Sequence, residues 1–180
     1  MEDIVVFSGS AHRELAANIC RCARVDLSPV GISRFSNDCL QAQLLVNVRQ
    51  RDVYIVQPLV PPTQDHLMEL LLMVQAAKSA SAAQVTAVIP HYSYARSDKK
   101  DASRISVGGR LVADLLVTAG VDRVLTMQLH SPQVQAFFSV PVDQLTARHA
   151  SLNFATPYFS ISVFEFSPSS FSIKFSTGSP

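Results

Sequence analysis

The chain has 180 residues, of which 48% are hydrophobic and 16% are charged, and its formal net charge is +1. This length and apolar fraction suit one globular domain with a sizeable core, whereas the near-zero net charge argues against binding to nucleic acid or to an anionic membrane. The sequence has no leader-like segment and no apolar run that could cross a bilayer, so we expect a cytoplasmic protein.

Apolar periodicity predicts strands that alternate with helices along residues 4–127. Strands are predicted over residues 4–8, 28–35, 41–48, 52–57, 85–89 and 123–127. Helices are predicted over residues 11–21, 65–80 and 107–119. Thr63 or Asp65 is the expected cap of the second helix, and Gly120 is expected just past the end of the third. The alternation predicts an α/β fold with a doubly wound, mostly parallel sheet.

The composition changes near residue 150. Residues 151–180 hold six of the ten phenylalanines, interleaved with serine, and their only charged side chains are Glu165 and Lys174. No helix-length periodicity follows this point. We therefore divide the chain into an α/β domain over residues 1–149 and a Phe/Ser-rich tail over residues 150–180, which looks foreign to the domain before it.

A charged loop over residues 92–104 follows the apolar strand 85–89. Such a loop, between a buried strand and a helix, is where α/β proteins place anionic ligands, and its Arg and Lys side chains suit phosphate. A solvated loop without a ligand is the alternative. No Walker motif occurs in the sequence, so a nucleotide would be held by side chains. The candidate phosphate contacts are Arg96, Lys99, Lys100 and Arg104.

His130 follows the next predicted strand, and neighbouring parallel strands would bring it close to Arg96. An imidazole there could meet a phosphate or ligate a metal, and a structural histidine is the alternative. No second histidine or carboxylate lies at a metal-ligand spacing, so a metal would be held partly by the nucleotide. The remaining histidines are interpreted as surface or structural residues: His12, His66, His91 and His149.

Residues 34–39 combine an aromatic ring with short polar side chains at a strand end. Phe35 could stack on a base there, although a core position is the alternative. The three cysteines, Cys20, Cys22 and Cys39, are odd in number and lack spaced pairs, which argues against a disulfide framework. No Ser–His–Asp or Cys–His arrangement supports nucleophilic catalysis.

Together these segments resemble ribose-phosphate diphosphokinase, also called phosphoribosyl pyrophosphate synthetase. The resemblance extends over most of residues 4–147, in ordered pieces. The strongest pieces are residues 34–37, 52–57, 67–71, 85–90, 94–96, 98–101, 129–130 and 141–143. This agreement makes a generic nucleotide-binding domain of another α/β family the weaker alternative.

The resemblance implies a phosphoribosyltransferase-like fold and a transferase of nucleotide biosynthesis. Family enzymes move the β,γ-diphosphoryl group of Mg-ATP to ribose 5-phosphate, giving phosphoribosyl pyrophosphate and AMP. By resemblance, Phe35 stacks on adenine, Arg96 contacts ATP, and His130 helps to hold the magnesium–phosphate group. Taken together with the cations of the charged loop, the candidate ATP-binding residues are Phe35, Asn37, Asp38, Cys39, Arg96, Ser97, Lys99, Lys100 and Arg104, with His130 at the metal.

Two positions depart from the family pattern. Many members carry Glu where this chain has Cys39, and Gln where it has Ser97, so we expect weakened nucleotide recognition. Family enzymes form dimers and hexamers in which the loop around Phe35 serves the ATP site of a neighbouring subunit. The resemblance therefore implies a homo- or hetero-oligomer.

Family members are about twice as long as this chain and contain a second, similar α/β half. That half carries the catalytic Lys/Arg loop, a magnesium-binding Asp and the loop for the ribose phosphate, none of which is found here. We therefore assign no catalytic residue and expect a truncated chain that is inactive by itself, with a ribose 5-phosphate site only if that half is supplied. The alternative is a non-catalytic regulatory subunit that binds full-length synthetase.

Overall fold

A computed structural model describes residues 4–127 and 129–145. Its strands are β1 (Ile4–Ser8), β2 (Val30–Arg34), β3 (Leu40–Leu44), β4 (Asp52–Val56), β5 (Gln84–Ile89), β6 (Arg123–Met127) and β7 (Val142–Leu145). Its α-helices are α1 (Arg13–Ala23), α2 (Thr63–Ser79) and α3 (Gly108–Ala119), and short 3₁₀ helices cover Ser93–Arg96 and Pro132–Phe137.

Five strands form one sheet in the order β1-β4-β5-β6-β7, and every neighbouring pair is parallel. Val6 of β1 pairs with Tyr54 of β4 on one edge and bridges to Leu27 on the other edge, also in parallel. The chain therefore extends the sheet first to one side of β1 and then to the other. This reversal confirms the predicted doubly wound α/β sheet.

Buried side chains cover both faces of the sheet, because parallel strands are sandwiched between helices. On one face, Phe7 and Ile55 pack with α2 and α3, whose Leu70 and Leu116 are fully buried. On the other face, Val56 and neighbouring strand residues pack with α1. The parallel strands read as nearly continuous apolar runs for this reason.

Strands β2 and β3 form a separate antiparallel hairpin and do not join the parallel sheet. Both were predicted as strands, over residues 28–35 and 41–48. Partly buried apolar residues of both strands pack against the main core, and in β3 they alternate with exposed positions. The alternation in β3 is typical of an antiparallel strand with one buried face. The core-facing residues are Val30, Ile32, Ala42 and Leu44.

A side-chain cap marks the start of α1 and a glycine marks the end of α3, as the residues at those positions favour. The predicted side-chain cap of α2 is wrong. Helix α1 begins at Arg13 because Nδ1 of His12 accepts a hydrogen bond from the Leu15 amide at 3.1 Å. Helix α2 has no side-chain cap, and the carboxylate of Asp65 pairs with an arginine instead. Helix α3 ends before Gly120, whose positive φ of 109° fits the predicted C-terminal glycine.

Strand β7 was not predicted, since its four residues are only partly buried and carry no strong apolar run. The predicted Phe/Ser-rich tail and His149 lie outside the described residues. Within residues 4–127 and 129–145, no helix has the length and apolar character needed to cross a membrane.

Candidate active site

A cavity of about 370 Å³ opens at the carboxyl ends of β5 and β6. Residues that follow β5 form one wall, and residues at the end of β6 and just beyond it form the other. The predicted pair Arg96 and His130 both lie in this lining, as expected from adjacent parallel strands. The full lining is His91, Tyr92, Ser93, Ala95, Arg96, Met127, Leu129 and His130.

Tyr92 anchors the wall that follows β5. It is buried, its hydroxyl donates a hydrogen bond to the Gly109 carbonyl oxygen at 2.8 Å, and its ring centroid lies 5.7 Å from that of Phe138. Burial, with a smaller contribution from Asp114, raises the pKa of Tyr92 well above its ordinary value, so the phenol stays protonated as a donor. The Ser93 hydroxyl donates to the Leu59 carbonyl oxygen, which ties the same wall to the segment after β4.

Ser97 is engaged in holding the start of α3. Its hydroxyl oxygen accepts a hydrogen bond from the Gly108 amide at 2.9 Å, and its carbonyl oxygen accepts one from the Gly109 amide at 3.0 Å. The serine thus satisfies two of the unpaired amides that open every helix. Its predicted contact with ATP stays a prediction.

The remaining cations of the charged loop lie beyond the cavity lining. Lys99, Lys100 and Arg104 are exposed, and Lys99 lies 3.5 Å from Asp101 in a pair that is mostly in solvent. An exposed pair of this kind contributes little to stability. These side chains are free to rearrange around an anion, and their assignment to ATP stays a prediction.

The loop between β2 and β3, residues 35–39, forms an exposed tip, which we call the tip loop. The Phe35 amide donates to the Cys39 carbonyl oxygen and the Asp38 amide donates to the Phe35 carbonyl oxygen, each at 2.9 Å. The Asn37 side-chain oxygen accepts from the Cys39 amide at 3.2 Å. The Phe35 ring is 52% exposed, so it is a surface aromatic and not a core residue. The structure does not bring the tip loop into the cavity lining of its own chain.

His91 is the cavity residue whose position the sequence analysis missed. It is exposed, as expected of a surface histidine, and it also lines the cavity beside His130. Both histidines lie just after parallel strands that are hydrogen-bonded neighbours. The position after a buried strand, which singled out His130, was the signal that could have found His91 as well.

Among the described residues that line the cavity, a metal would find two imidazoles, those of His91 and His130, and no carboxylate. Among all the described residues, no cluster of three or more His, Cys, Asp or Glu side chains could hold an ion. Mg²⁺ prefers oxygen ligands and usually binds with substrate phosphates. The donor set therefore fits a magnesium ion that arrives with a polyphosphate and has His130 as a contact, and it does not fit a resident magnesium site.

A second polar cluster lies at the turn between β1 and α1. The buried Glu69 carboxylate accepts hydrogen bonds from the Ser10 amide at 3.0 Å, the Ser10 hydroxyl at 2.6 Å and Nε2 of Gln57 at 2.8 Å. Oε1 of Gln57 in turn accepts from the Ala11 amide at 3.2 Å. This network fixes the turn at the carboxyl end of β1. Sequence analysis gave no sign of it, since its members are far apart in the chain.

The fold and the cavity define a doubly wound α/β domain with cationic and imidazole side chains at the carboxyl edge of its parallel sheet. Residues 4–120 match the sequence model of the N-terminal domain of ribose phosphate pyrophosphokinase. The chain belongs to this family.

Individual relatives agree with the family match. The chain is 67% identical over 147 residues to a putative ribose-phosphate pyrophosphokinase of Streptomyces coelicolor, covering 82% of this chain and 46% of that protein. It is 58% identical over 144 residues to the ribose-phosphate pyrophosphokinase of Deinococcus radiodurans, covering 80% and 45%. The crystal structure of phosphoribosylpyrophosphate synthetase from Mycobacterium smegmatis superposes with a TM-score of 0.78 at 39% identity, covering 81% and 49%. The chain thus spans about half the length of the relatives it matches.

Proposed function

We propose that this chain forms the ATP-binding half of a ribose-phosphate diphosphokinase. The complete reaction transfers diphosphate from Mg-ATP to ribose 5-phosphate and gives phosphoribosyl pyrophosphate and AMP. The observation that carries the proposal is the shared cavity of Arg96 and His130, in a chain of this family. The chemistry of both side chains suits the phosphates of a nucleotide.

Each residue has a distinct part in this proposal. The Arg96 guanidinium donates charge-assisted hydrogen bonds to the polyphosphate, and His130 contacts the phosphates with their metal. Lys99, Lys100 and Arg104 raise the local concentration of the anion. A magnesium ion held by the phosphates beside His130 would supply neutralisation of the charge on the phosphate oxygens. The protein's own contribution is to hold the polyphosphate in place, which is most of the catalysis in phosphoryl transfer.

Phe35 supplies the base-stacking face in this proposal, with Asn37, Asp38 and Cys39 around it. Because the tip loop lies away from the cavity of its own chain, the stacking face serves a neighbouring subunit. The site is then completed in a homo- or hetero-oligomer. The ribose 5-phosphate site and the catalytic residues belong to a second α/β half, so residues 1–180 alone do not turn over.

Calorimetric titration with Mg-ATP tests the binding part of the proposal. We expect wild-type chain to bind and Arg96→Gln to weaken the affinity by about ten-fold or more, because a charged hydrogen bond to phosphate is lost. Arg110→Gln is the matched control, since Arg110 is an exposed arginine paired with Asp114 on α3. Absence of binding by the wild type, or equal losses in both variants, would contradict the proposal.

An AMP-release assay tests the catalytic part. With Mg-ATP and ribose 5-phosphate, we expect the chain alone to give no turnover, because one substrate lacks its site. A full-length family enzyme in the same assay provides the positive control. Robust turnover by the 180-residue chain would overturn the assignment of catalysis to a second half.

The exposed tip loop also favours a second candidate, a non-catalytic subunit that modulates full-length synthetase. Such a subunit would present Phe35 to the ATP site of a full-length partner. Co-purification with a full-length synthetase, together with a changed rate of that enzyme, would support this role. Failure to associate at micromolar concentration would eliminate it.

A further inference from the structure

Arg34 pairs with two carboxylates at once. Its Nη1 lies 2.7 Å from Oδ1 of Asp38, and its Nη2 lies 2.7 Å from Oδ2 of Asp65. Nη1 also donates a hydrogen bond to the carbonyl oxygen of Asp38 at 3.2 Å. Asp38 belongs to the tip loop and Asp65 to the first turn of α2, so one guanidinium joins the loop to the helix.

The Arg34 contacts support an uncommon backbone conformation at Asp38. Its φ is 68°, in the left-handed region that residues with side chains rarely adopt. Aspartate tolerates this region when its short side chain is hydrogen-bonded locally. Arg34 holds both the carboxylate and the carbonyl oxygen of Asp38, so it stabilises the turn that follows Phe35.

These ion pairs fix the position of the tip loop relative to α2 and add little to the stability of the fold. The side chains of Arg34, Asp38 and Asp65 are 39%, 83% and 44% exposed, and exposed ion pairs add little to the free energy of unfolding. The planar guanidinium, however, presents its donors in a fixed fork that a lysine ammonium lacks. Two carboxylates from separate elements are therefore held in one defined arrangement.

Resting on the ATP-binding function proposed above, we propose that Arg34 is a positioning residue for the nucleotide base. It acts through the tip loop and sets the orientation in which the half-exposed Phe35 ring meets the base. Arg34 thereby governs the base-dependent part of the affinity, whereas Arg96 governs the phosphate-dependent part. Loss of Arg34 leaves the fold intact and loosens the loop.

Two ligands distinguish the base-dependent part of the affinity from the phosphate-dependent part. They are Mg-ATP and magnesium tripolyphosphate, which lacks the base. We expect Arg34→Gln to weaken Mg-ATP binding by about three- to ten-fold and to leave tripolyphosphate binding within about two-fold, as measured by calorimetry. Asp65→Asn is expected to act in the same direction, because it releases the loop from α2. Arg110→Gln, which breaks the exposed pair with Asp114 on α3, is the matched control and changes neither affinity.

Hydrogen exchange of peptides spanning residues 33–41 supplies a readout that does not depend on ligand. Arg34→Gln is expected to accelerate exchange of the Phe35 and Asp38 amides by about three-fold or more, while exchange in α2 and α3 stays unchanged. If Arg34→Gln does not fold, Asp65→Asn carries the test.

Unchanged loop exchange together with unchanged Mg-ATP affinity would overturn the inference while leaving the proposed function standing. Equal losses for Mg-ATP and tripolyphosphate would also overturn it, because they indicate a general effect of charge. Failure of wild-type chain to bind either ligand would instead overturn the proposed function, and the inference with it.

Discussion

Two of the three cysteines are exposed and one is buried. Cys20 lies in α1 against the sheet, whereas Cys22 and Cys39 are exposed, and all three thiols are free. Burial, with a smaller contribution from the nearby Asp26, raises the pKa of Cys20 to about 11. Because the thiolate is the reactive form, Cys20 is protected by both position and pKa.

Alkaline titration should reveal the buried thiol. A raised folded-state pKa means that the stabilising contribution is complete below the unfolded value near 9 and is lost as pH rises toward 11. Between pH 8 and pH 11, we expect the titration of Cys20 to lower the free energy of unfolding by about 2 kcal/mol. The variant Cys20→Ala should lack this part of the pH dependence. Urea unfolding between pH 8 and pH 11 measures it, with Cys22→Ala as control. The same slope in both variants would contradict the prediction.

Glu69 is a buried charge that depends on its three donors. Glu69→Ala should lower the free energy of unfolding by about 3 kcal/mol, because Ser10 and Gln57 lose their acceptor inside the protein. Glu14→Ala, at an exposed position in α1, should change it by about 0.5 kcal/mol or less. Thermal and urea unfolding provide the measurement. Similar small losses in both variants would show that the network is dispensable.

At the scale of elements, the 3₁₀ helix Ser93–Arg96 packs closely against the start of α3 at Gly109. A Cβ added at Gly109 would lie 3.0 Å from the Tyr94 carbonyl oxygen and 3.2 Å from the Ser97 carbonyl oxygen. Backbone atoms cannot rotate away as a flexible side chain can. The absence of a side chain at Gly109 therefore sets how closely α3 approaches the wall that carries Arg96.

Gly109→Ala should destabilise the fold by about 1–2 kcal/mol and displace the wall of the cavity. Gly31→Ala is the control, because an added Cβ there meets nothing closer than 3.9 Å. Unfolding experiments compare the two variants, and Mg-ATP titration shows whether the cavity changes. Equal stability of the two variants would contradict the prediction, because it would show that the backbone near residue 109 moves aside at little energetic cost.

The elements that sequence predicted best are those whose signals are local. Strand β6 was predicted with its observed bounds, and Arg96 and His130 were brought together by the simple rule that parallel strands end at one edge. The separate β2–β3 hairpin was predicted as strands, without its partner arrangement. That β2 and β3 pair with each other and stay apart from the parallel sheet was not predicted, because strand pairing depends on the folded arrangement.

The contacts that sequence could not predict join distant positions through the folded chain. Arg34 and Asp65 are 31 residues apart, and Ser10 and Glu69 are 59 residues apart. Thr63 or Asp65 was expected to cap α2, yet neither side chain does so, and the carboxylate of Asp65 pairs with Arg34. Polar side chains have several chemically equivalent partners, and only the tertiary arrangement selects one.

At the scale of the whole molecule, large apolar side chains remain in contact with solvent. Leu111 and Leu115, one turn apart on α3, are 57% and 40% exposed, and Met68 on α2 is 48% exposed. Residues four apart lie on the same face of a helix, so Leu111 and Leu115 present a shared apolar surface. Surfaces of this kind favour association with another chain.

We therefore expect the chain to self-associate at micromolar concentration, and the double variant Leu111→Gln with Leu115→Gln to weaken that association by about ten-fold or more. Stability should change little, because both side chains are already exposed. Leu45→Gln is the matched control, since Leu45 is 54% exposed but lies in the segment after β3. Sedimentation velocity across a concentration series measures the dissociation constants. A wild-type chain that stays monomeric throughout would contradict the expectation, and an equal effect of Leu45→Gln would place the contact elsewhere than on α3.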